Sequence, residues 1–283
     1  MNYRHGFHAG NFADVIKHAV LARVLMHLRQ KNAPFRVIDT HAGAGLYDLT
    51  GDEATRGFEW REGINRLFTA SLRPEISALL APYRDAVAAH NPDGALKRYP
   101  GSPLLARAAL RPQDRLIACE LEPKAAAALR HSLRGDPRAK PVEIDGWTAL
   151  TAYVPPKERR GLVLVDPPFE QPDEFARLAG ALAGAHRKWP GGIYLAWYPL
   201  KDAREVEGFA RKLARLGIPK ILRAEINLPA IAGTTRLRGS GLVIVNPPWT
   251  LEAELALLLP ALGAILSEDG KCAIRLDWLA GEK

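Results

Sequence analysis

Two stretches of this 283-residue chain carry one pattern. Gly161 to Phe169 reads GLVLVDPPF, and Gly241 to Trp249 reads GLVIVNPPW. In each, an apolar run stops at an acid or amide, two prolines and an aromatic ring. Val and Leu fill the run without alternation, as in a parallel strand buried on both faces. The prolines end it, because they lack the N–H a ladder needs. Asp166 therefore stands at the carboxyl end of a strand, where open α/β sheets gather their ligands. Its carboxylate and the Pro167 carbonyl can accept N–H bonds, and the Phe169 ring offers a stacking face.

Other candidate residues fall at the ends of other apolar runs. Phe35 to Ile38 is a short strand, and Asp39 to Gly45 (DTHAGAG, which includes His41) is a Gly-rich turn at its tip. Gly43 and Gly45 permit positive φ and close approach of a ligand to the backbone. No Gly-Lys-Ser/Thr follows, and the spacing is not GxGxxG, so neither a P-loop nor a dinucleotide fingerprint is present. Arg115 to Ala118 leads to CELEP. Rossmann-like sheets hydrogen-bond a ribose diol at this tip, with Glu120 the first candidate and Glu122 the alternative. VEIDGWTAL places Asp145 and Gly146 at a third tip. The opening MNYRHGFHAGNFADVIKH supplies His5, His8 and His18. No Cys or carboxylate joins these histidines at ligand spacing, so no metal is expected. Ser102 reads as the N-cap of the helix in GSPLLARAALRP.

These residues need a scaffold, and the chain supplies the elements of one. Helical and short apolar stretches alternate from Phe35 onward, which predicts an α/β doubly wound sheet of seven strands, mostly parallel. Asn11 caps a helix through VIKHAVLARVLMHL, with Asp14 in its first turn. Residues 1–20 form an N-terminal arm. Residues 47–99 are helical, Pro-punctuated and too long for a crossover, so they read as an inserted helical subdomain. KCAIRLDWL closes the chain as an edge strand or a tail. Asp166 falls on the fourth strand and Asn246 on the seventh, which is antiparallel in sheets of this kind. Its tip then points away from the ligands. The DPPF site is thus the chemical one, and NPPW is a turn whose Trp249 packs on the core. Two cysteines allow no disulfide framework, and no leader or membrane-length apolar run occurs, which together read as cytoplasmic. The formal net charge of +8 favours a polyanionic partner. Residues 1–45 alone hold six Lys/Arg against two acids.

The acid and small-residue GxG turn resembles motif I of S-adenosylmethionine (SAM)-dependent methyltransferases. Together with YRHGFHAGNFADVIKH, YPGSPL, DPPF, IYLAWYP and VNPPW, the chain resembles the bacterial 23S rRNA adenine-N6 methyltransferase family, RlmJ, nearly end to end. The resemblance implies a Rossmann-like SAM-dependent methyltransferase that needs no metal and has 23S rRNA as its partner. It implies that Asp166, Pro167 and Phe169 hold the target adenine and direct its amine at the methyl group. It assigns SAM contacts to His18, His41, Gly43, Ser102, Glu120, Asp145, Gly146 and Asp166, and the target base to Tyr3, Arg4, His5 and Phe169. Phe169 stands where many relatives have Tyr, which preserves stacking and removes a hydroxyl. Lys157, Arg159, Arg160, Arg236 and Arg238 are candidates for RNA phosphates. A monomer without an obligate protein partner is expected. The rival readings are a DNA adenine-N6 or cytosine-N4 methyltransferase, and a non-catalytic nucleic-acid-binding module on the same fold.

Overall fold

A strand from near the start of the chain lies in the interior of the sheet and sets the geometry of everything else. A computed structural model describes residues 4–229 and 237–282. The strands are β1 (Phe35–Asp39), β2 (Leu46–Asp48), β3 (Arg98–Pro100), β4 (Arg115–Glu120), β5 (Ala139–Glu143), β6 (Arg160–Val165), β7 (Ile193–Pro199), β8 (Ile221–Asn227), β9 (Gly239–Val245) and β10 (Ala273–Ala280). The helices are α1 (Phe12–Arg29), α2 (Asp52–Gly57), α3 (Glu59–Glu62), α4 (Ile64–Thr69), α5 (Pro74–Ala88), α6 (Ser102–Ala109), α7 (Pro123–Ser132), α8 (Gly146–Tyr153), α9 (Glu174–Lys188), α10 (Ala203–Ala214) and α11 (Leu251–Leu266).

The main sheet has eight strands in the order β10-β8-β9-β7-β6-β1-β4-β5. Strands β5, β4, β1, β6 and β7 run parallel. β9 is antiparallel to both β7 and β8, and β10 is antiparallel to β8. The expected seven strands thus become eight, because the closing segment KCAIRLDWL pairs along the whole of β8 as an edge strand. From β1 the chain winds outward through β4 and β5, then returns past β1 to β6 and β7. The carboxyl ends of β1, β4 and β6 therefore flank a topological switch point, the usual place for a ligand crevice in such sheets.

Both faces of the sheet are covered. Apolar residues of α1, α5, α6, α7 and α11 form one core layer with Phe35, Leu116, Leu162, Leu222 and Leu242. Leu178 and Leu182 of α9 and Phe209 and Leu213 of α10 form the other, with Val163, Val165, Tyr194 and Val243. Successive strand residues point to opposite faces, so a sheet sandwiched this way needs continuous apolar runs. The separate β2–β3 pair matches Leu46 with Pro100 and Asp48 with Arg98, so it clamps the two ends of the segment holding α2 to α5. Ile64, Leu67, Ile76, Leu80 and Tyr83 of that segment pack into the same core as α1.

Three local expectations change. Gly101 is the N-cap of α6, and Ser102 is its first helical residue. Lying inside the helix, Ser102 instead turns its hydroxyl to the buried Asp39, donating to Oδ2 at 2.7 Å. Trp249 is 84% exposed rather than packed on the core, because the Pro-Pro turn carries it outward before α11 begins. Lys157, Arg159 and Arg160 lie at the amino end of β6, the edge opposite Asp166. Arg160 there donates to the carbonyls of Leu28 and Ala33. Among the described residues no helix is long and apolar enough to cross a membrane.

Candidate active site

A cavity of about 1180 Å³ opens at the carboxyl ends of the parallel strands, lined by the Gly-rich turn, the DPPF segment, α1 and the N-terminal arm. The floor begins on α1. Asn11 caps the helix as its sequence predicts, accepting the Asp14 N–H at 3.0 Å. Asp14 and Lys17 then lie one turn apart on a helix surrounded by apolar neighbours, and both are buried. Lys17 Nζ donates to Asp14 Oδ1 at 2.9 Å and to Asp166 Oδ2 at 2.5 Å. A buried ammonium is tolerated only with such partners. Burial opposes the lysine charge, but Asp14 and Asp166 outweigh it and hold its pKa well above the usual lysine range. Burial likewise tends to raise the Asp14 carboxyl, yet His5, Lys17 and His18 hold it well below the usual carboxylate range. Asp14 also accepts from the Gly10 N–H and bonds His5 Nε2 at 3.0 Å, so it ties the arm to the helix.

The turn after β1 is held by polar contacts to α6, β4 and β6. Asp39 is fully buried, and burial pushes its carboxyl up to about 7, with Ser102 and Lys17 opposing and Asp166 adding to the rise. Thr40 Oγ1 donates to the Leu164 carbonyl of β6 at 2.9 Å and lies 2.8 Å from His41 Nδ1. Burial pulls the His41 ring down to about 4. Glu120 Oε2 accepts the Gly43 N–H at 2.8 Å, and its Oε1 accepts the Glu122 N–H at 2.8 Å. Glu122 itself is the N-cap of α7, so Glu120 is the carboxylate facing the turn. Gly43 has φ +62°, and a Cβ there would come within 2.1 Å of the Tyr47 hydroxyl. Asp145 caps α8, and a Cβ on Gly146 would meet the Thr40 carbonyl at 2.3 Å and the His41 ring at 2.6 Å. Only glycine lets these two tips approach so closely.

The DPPF segment follows β6 without a break. Phe169 adopts φ +52°, a left-handed conformation that costs an aromatic residue about 1–3 kcal/mol. It is held edge-on to Phe175 at 5.0 Å and to Trp197 at 5.7 Å between ring centres. Trp197 projects from β7 and bonds Ser240 through its indole N–H at 3.0 Å. Lys17 Nζ lies 5.9 Å from the centre of the Trp197 ring, within cation–π range.

Of the residues singled out from sequence, Arg4, His5, His18, His41, Gly43, Ser102, Glu120, Asp145, Gly146, Asp166, Pro167 and Phe169 all line this one cavity. Tyr3 and Arg236 lie outside the described residues. Arg238 lines the cavity and pairs with Glu62 at 3.3 Å. Asn246 is on the opposite edge, where its amide donates to the Pro190 and Gly192 carbonyls at 2.7 and 2.8 Å. The antiparallel course of β9 puts it there. Lys17 and Trp197 were not singled out, and Asp14 was read only as a first-turn acid. The available signal was an Asp/Lys pair at i,i+3 on a helix where Ala13, Val15, Ile16, Ala19 and Val20 are apolar.

Residues 32–280 match the family described as RsmJ, ribosomal RNA large subunit methyltransferase D, RlmJ. Over 282 residues, all of both chains, the sequence is 38% identical to ribosomal RNA large subunit methyltransferase J of Escherichia coli K12. It is 36% identical to the protein of the same name from Haemophilus influenzae, again over the full length of both. The crystal structure of LPL1258 from Legionella pneumophila is similar at a TM-score of 0.88 and 34% identity, covering 98% of this chain and 99% of that one. The full-length identity, the shared fold and a strand-tip cavity built around Asp166 and the Gly43 turn agree: the chain belongs to the RlmJ family of methyltransferases.

Proposed function

We propose that the chain transfers the methyl group of SAM to the exocyclic N6 of an adenine in 23S rRNA. The observation that carries this reading is the Asp166 carboxylate, pinned by Lys17 at one oxygen, in the same cavity as Phe169, Glu120 and Asp145. The cavity is larger than the roughly 300–1000 Å³ typical of one small ligand, so it has room for a cofactor beside a base. The residues fit SAM. His41, Asp145 and Gly146 line the cavity beside the turn after β1, and Glu120 stands at the tip of β4, where a ribose diol is bound in Rossmann-like sheets. When bound, SAM supplies a sulfonium-activated methyl group.

The chain's own residues then do the positioning. An adenine N6 lone pair is delocalised into the ring, which makes the amine a poor nucleophile. Lys17 occupies Asp166 Oδ2, so Asp166 Oδ1 and the Pro167 carbonyl are the acceptors for the two amine hydrogens. Accepting both fixes the amine and favours a pyramidal nitrogen, whose lone pair is withdrawn from the ring and faces the methyl group. Phe169, fixed by Phe175 and Trp197, stacks on a base taken out of its helix. Asp166 takes the proton late, once the nitrogen is cationic, so orientation supplies most of the acceleration. Tyr3, Arg4 and His5 contact the target base from the arm of residues 1–20. Residues 47–99 act as an inserted helical subdomain on the RNA side. The enzyme works as a monomer in the cytoplasm.

Radiolabelled SAM tests the reading. Label is expected on naked 23S rRNA from a strain lacking the endogenous methyltransferase. Label on DNA or protein alone refutes the RNA assignment. Asp166→Ala is expected to lower transfer by at least about 10³-fold while SAM binding remains measurable, since it removes the orienting acceptor and leaves the other cofactor contacts in place.

A further inference from the structure

His18 is only 1% exposed, yet it lines the cavity. Its Nδ1 is 2.6 Å from the Tyr99 hydroxyl, and that hydroxyl is 2.8 Å from the hydroxyl of Tyr83. Tyr99 comes from β3 and Tyr83 from α5, so the relay reaches His18 from the segment clamped between β2 and β3. Both tyrosines are buried, at 0% and 1% exposure. Among the described residues Tyr83 Oη has no other hydrogen-bond partner than Tyr99, and Tyr99 Oη has none besides Tyr83 and His18.

That short list fixes the direction of the relay. A hydroxyl has one proton to donate, and a buried one that finds no acceptor bears the desolvation penalty of an unmade bond. Tyr83 stands at the closed end, so its proton goes to Tyr99 Oη. Tyr99 then has only His18 Nδ1 to which to donate. The reverse order, His18 to Tyr99 to Tyr83, strands the Tyr83 proton in the core. Nδ1 is therefore an acceptor. Burial pulls the His18 ring down to about 3, so the neutral ring carries its single proton on Nε2. Nε2 is the one polar atom the ring has left for the cavity.

We infer that Tyr83 and Tyr99 are positioning residues that lock His18 as its Nε2–H tautomer, a neutral donor for an acceptor oxygen at the amino-acid end of SAM. This rests on the SAM reading above. The end is chosen by position: His18 adjoins Lys17, which touches Asp166, whereas Glu120 and Asp145 occupy the strand tips on the other side of β1. A neutral donor aligns an oxygen without adding charge beside Asp14 and Lys17. The other tautomer would present a lone pair there and repel it.

The inference is tested by NMR on the full chain labelled with ¹⁵N-histidine, because the two ring-nitrogen shifts separate the tautomers with no ligand bound. The parent chain is expected to show His18 protonated at Nε2 across neutral pH. Tyr99→Phe is expected to mix the tautomers and weaken SAM binding about tenfold, the worth of one hydrogen bond, with kcat at saturating SAM within about twofold. Tyr83→Phe removes only the far hydroxyl, and is expected to mix the tautomers partly and weaken SAM binding about threefold; it carries the test if Tyr99→Phe unfolds. An Nδ1–H tautomer in the parent chain, or an unchanged tautomer and affinity in Tyr83→Phe, overturns the inference. Failure of the parent chain to bind SAM overturns the cofactor reading instead, since the tautomer is read without it.

Discussion

Lys17 governs the charge balance of the cavity. It pairs with the buried Asp14 and the partly buried Asp166, from two distant parts of the chain, and removing it leaves both without their common partner. Lys17→Met is expected to destabilise the fold by about 3–5 kcal/mol in urea unfolding, the usual cost of orphaning a buried charge. Methyl transfer should fall by more than the loss of folded protein explains. Asp39 gives a pH signature of defined sign. Its folded pKa of about 7 lies above the ordinary value, so between about pH 4 and 7 the folded state binds the extra proton, and this group alone makes stability fall as pH rises. His18 and His41 act in the opposite sense. Their folded values near 3 and 4 lie below the ordinary one, so the unfolded state takes up protons as pH drops through 6.5 and stability is lost toward acid. Asp39→Asn removes the opposing slope. Denaturant midpoints measured from pH 7 to 4.5 are therefore expected to fall more steeply in Asp39→Asn than in the parent chain. Asp166 was legible in the sequence because prolines and an aromatic mark a strand tip in one dimension. Lys17 was not, because a lysine on a helix is read as solvated unless the buried face is known.

At the scale of elements, one strand direction separates the two Pro-Pro motifs. β9 is antiparallel to β7, so the end of GLVIV emerges at the edge where β7 begins, and Asn246 staples the loop before β7 through two carbonyls. Asn246→Ala is expected to cost about 1–3 kcal/mol of stability, since it leaves two acceptors unmet, with SAM affinity and turnover unchanged. Loss of transfer in Asn246→Ala instead of in Asp166→Ala would reverse the choice of motif. The apolar runs and Gly-rich turns gave the parallel strands and their order of use in the chain, since a doubly buried strand has no other composition to adopt. Two features were less legible. Ser102 has the composition of a cap, and only the proximity of Asp39, 63 residues away, draws its hydroxyl elsewhere. The closing segment has the alternation of an edge strand, and its partner β8 is not adjacent in sequence.

Across the whole molecule, basic side chains stand at both of two opposite edges of the sheet. Arg4, His8 and Arg238 stand around the cavity mouth, each bonded to an acid of α2–α3: Glu53, Glu59 and Glu62 respectively. An RNA phosphate arriving there competes with these carboxylates for the same cations. Lys157 and Arg159 sit at the far edge of the sheet and present no charge to the cavity. The double variant Lys157→Ala/Arg159→Ala is expected to leave the affinity for 23S rRNA and its dependence on salt within about twofold, measured by filter binding at several ionic strengths. A salt slope reduced by about one or two would instead place the RNA backbone across that edge.

The bond between Lys17 and Asp166 spans 149 residues of sequence. At about 5–20 residues per second of synthesis, that separation is roughly 7 to 30 seconds of translation. For that interval the first helix has Asp14 beside Lys17 but lacks the second carboxylate that Lys17 binds in the finished chain. The centre of the sheet is delayed in the same way, because β1 waits for β4 on one flank and β6 on the other. A nascent chain shorter than 166 residues thus lacks both the Lys17–Asp166 bond and the DPPF wall of the cavity. If Asp166 orients the target amine as proposed, a product truncated before that point is expected to show no methyl transfer.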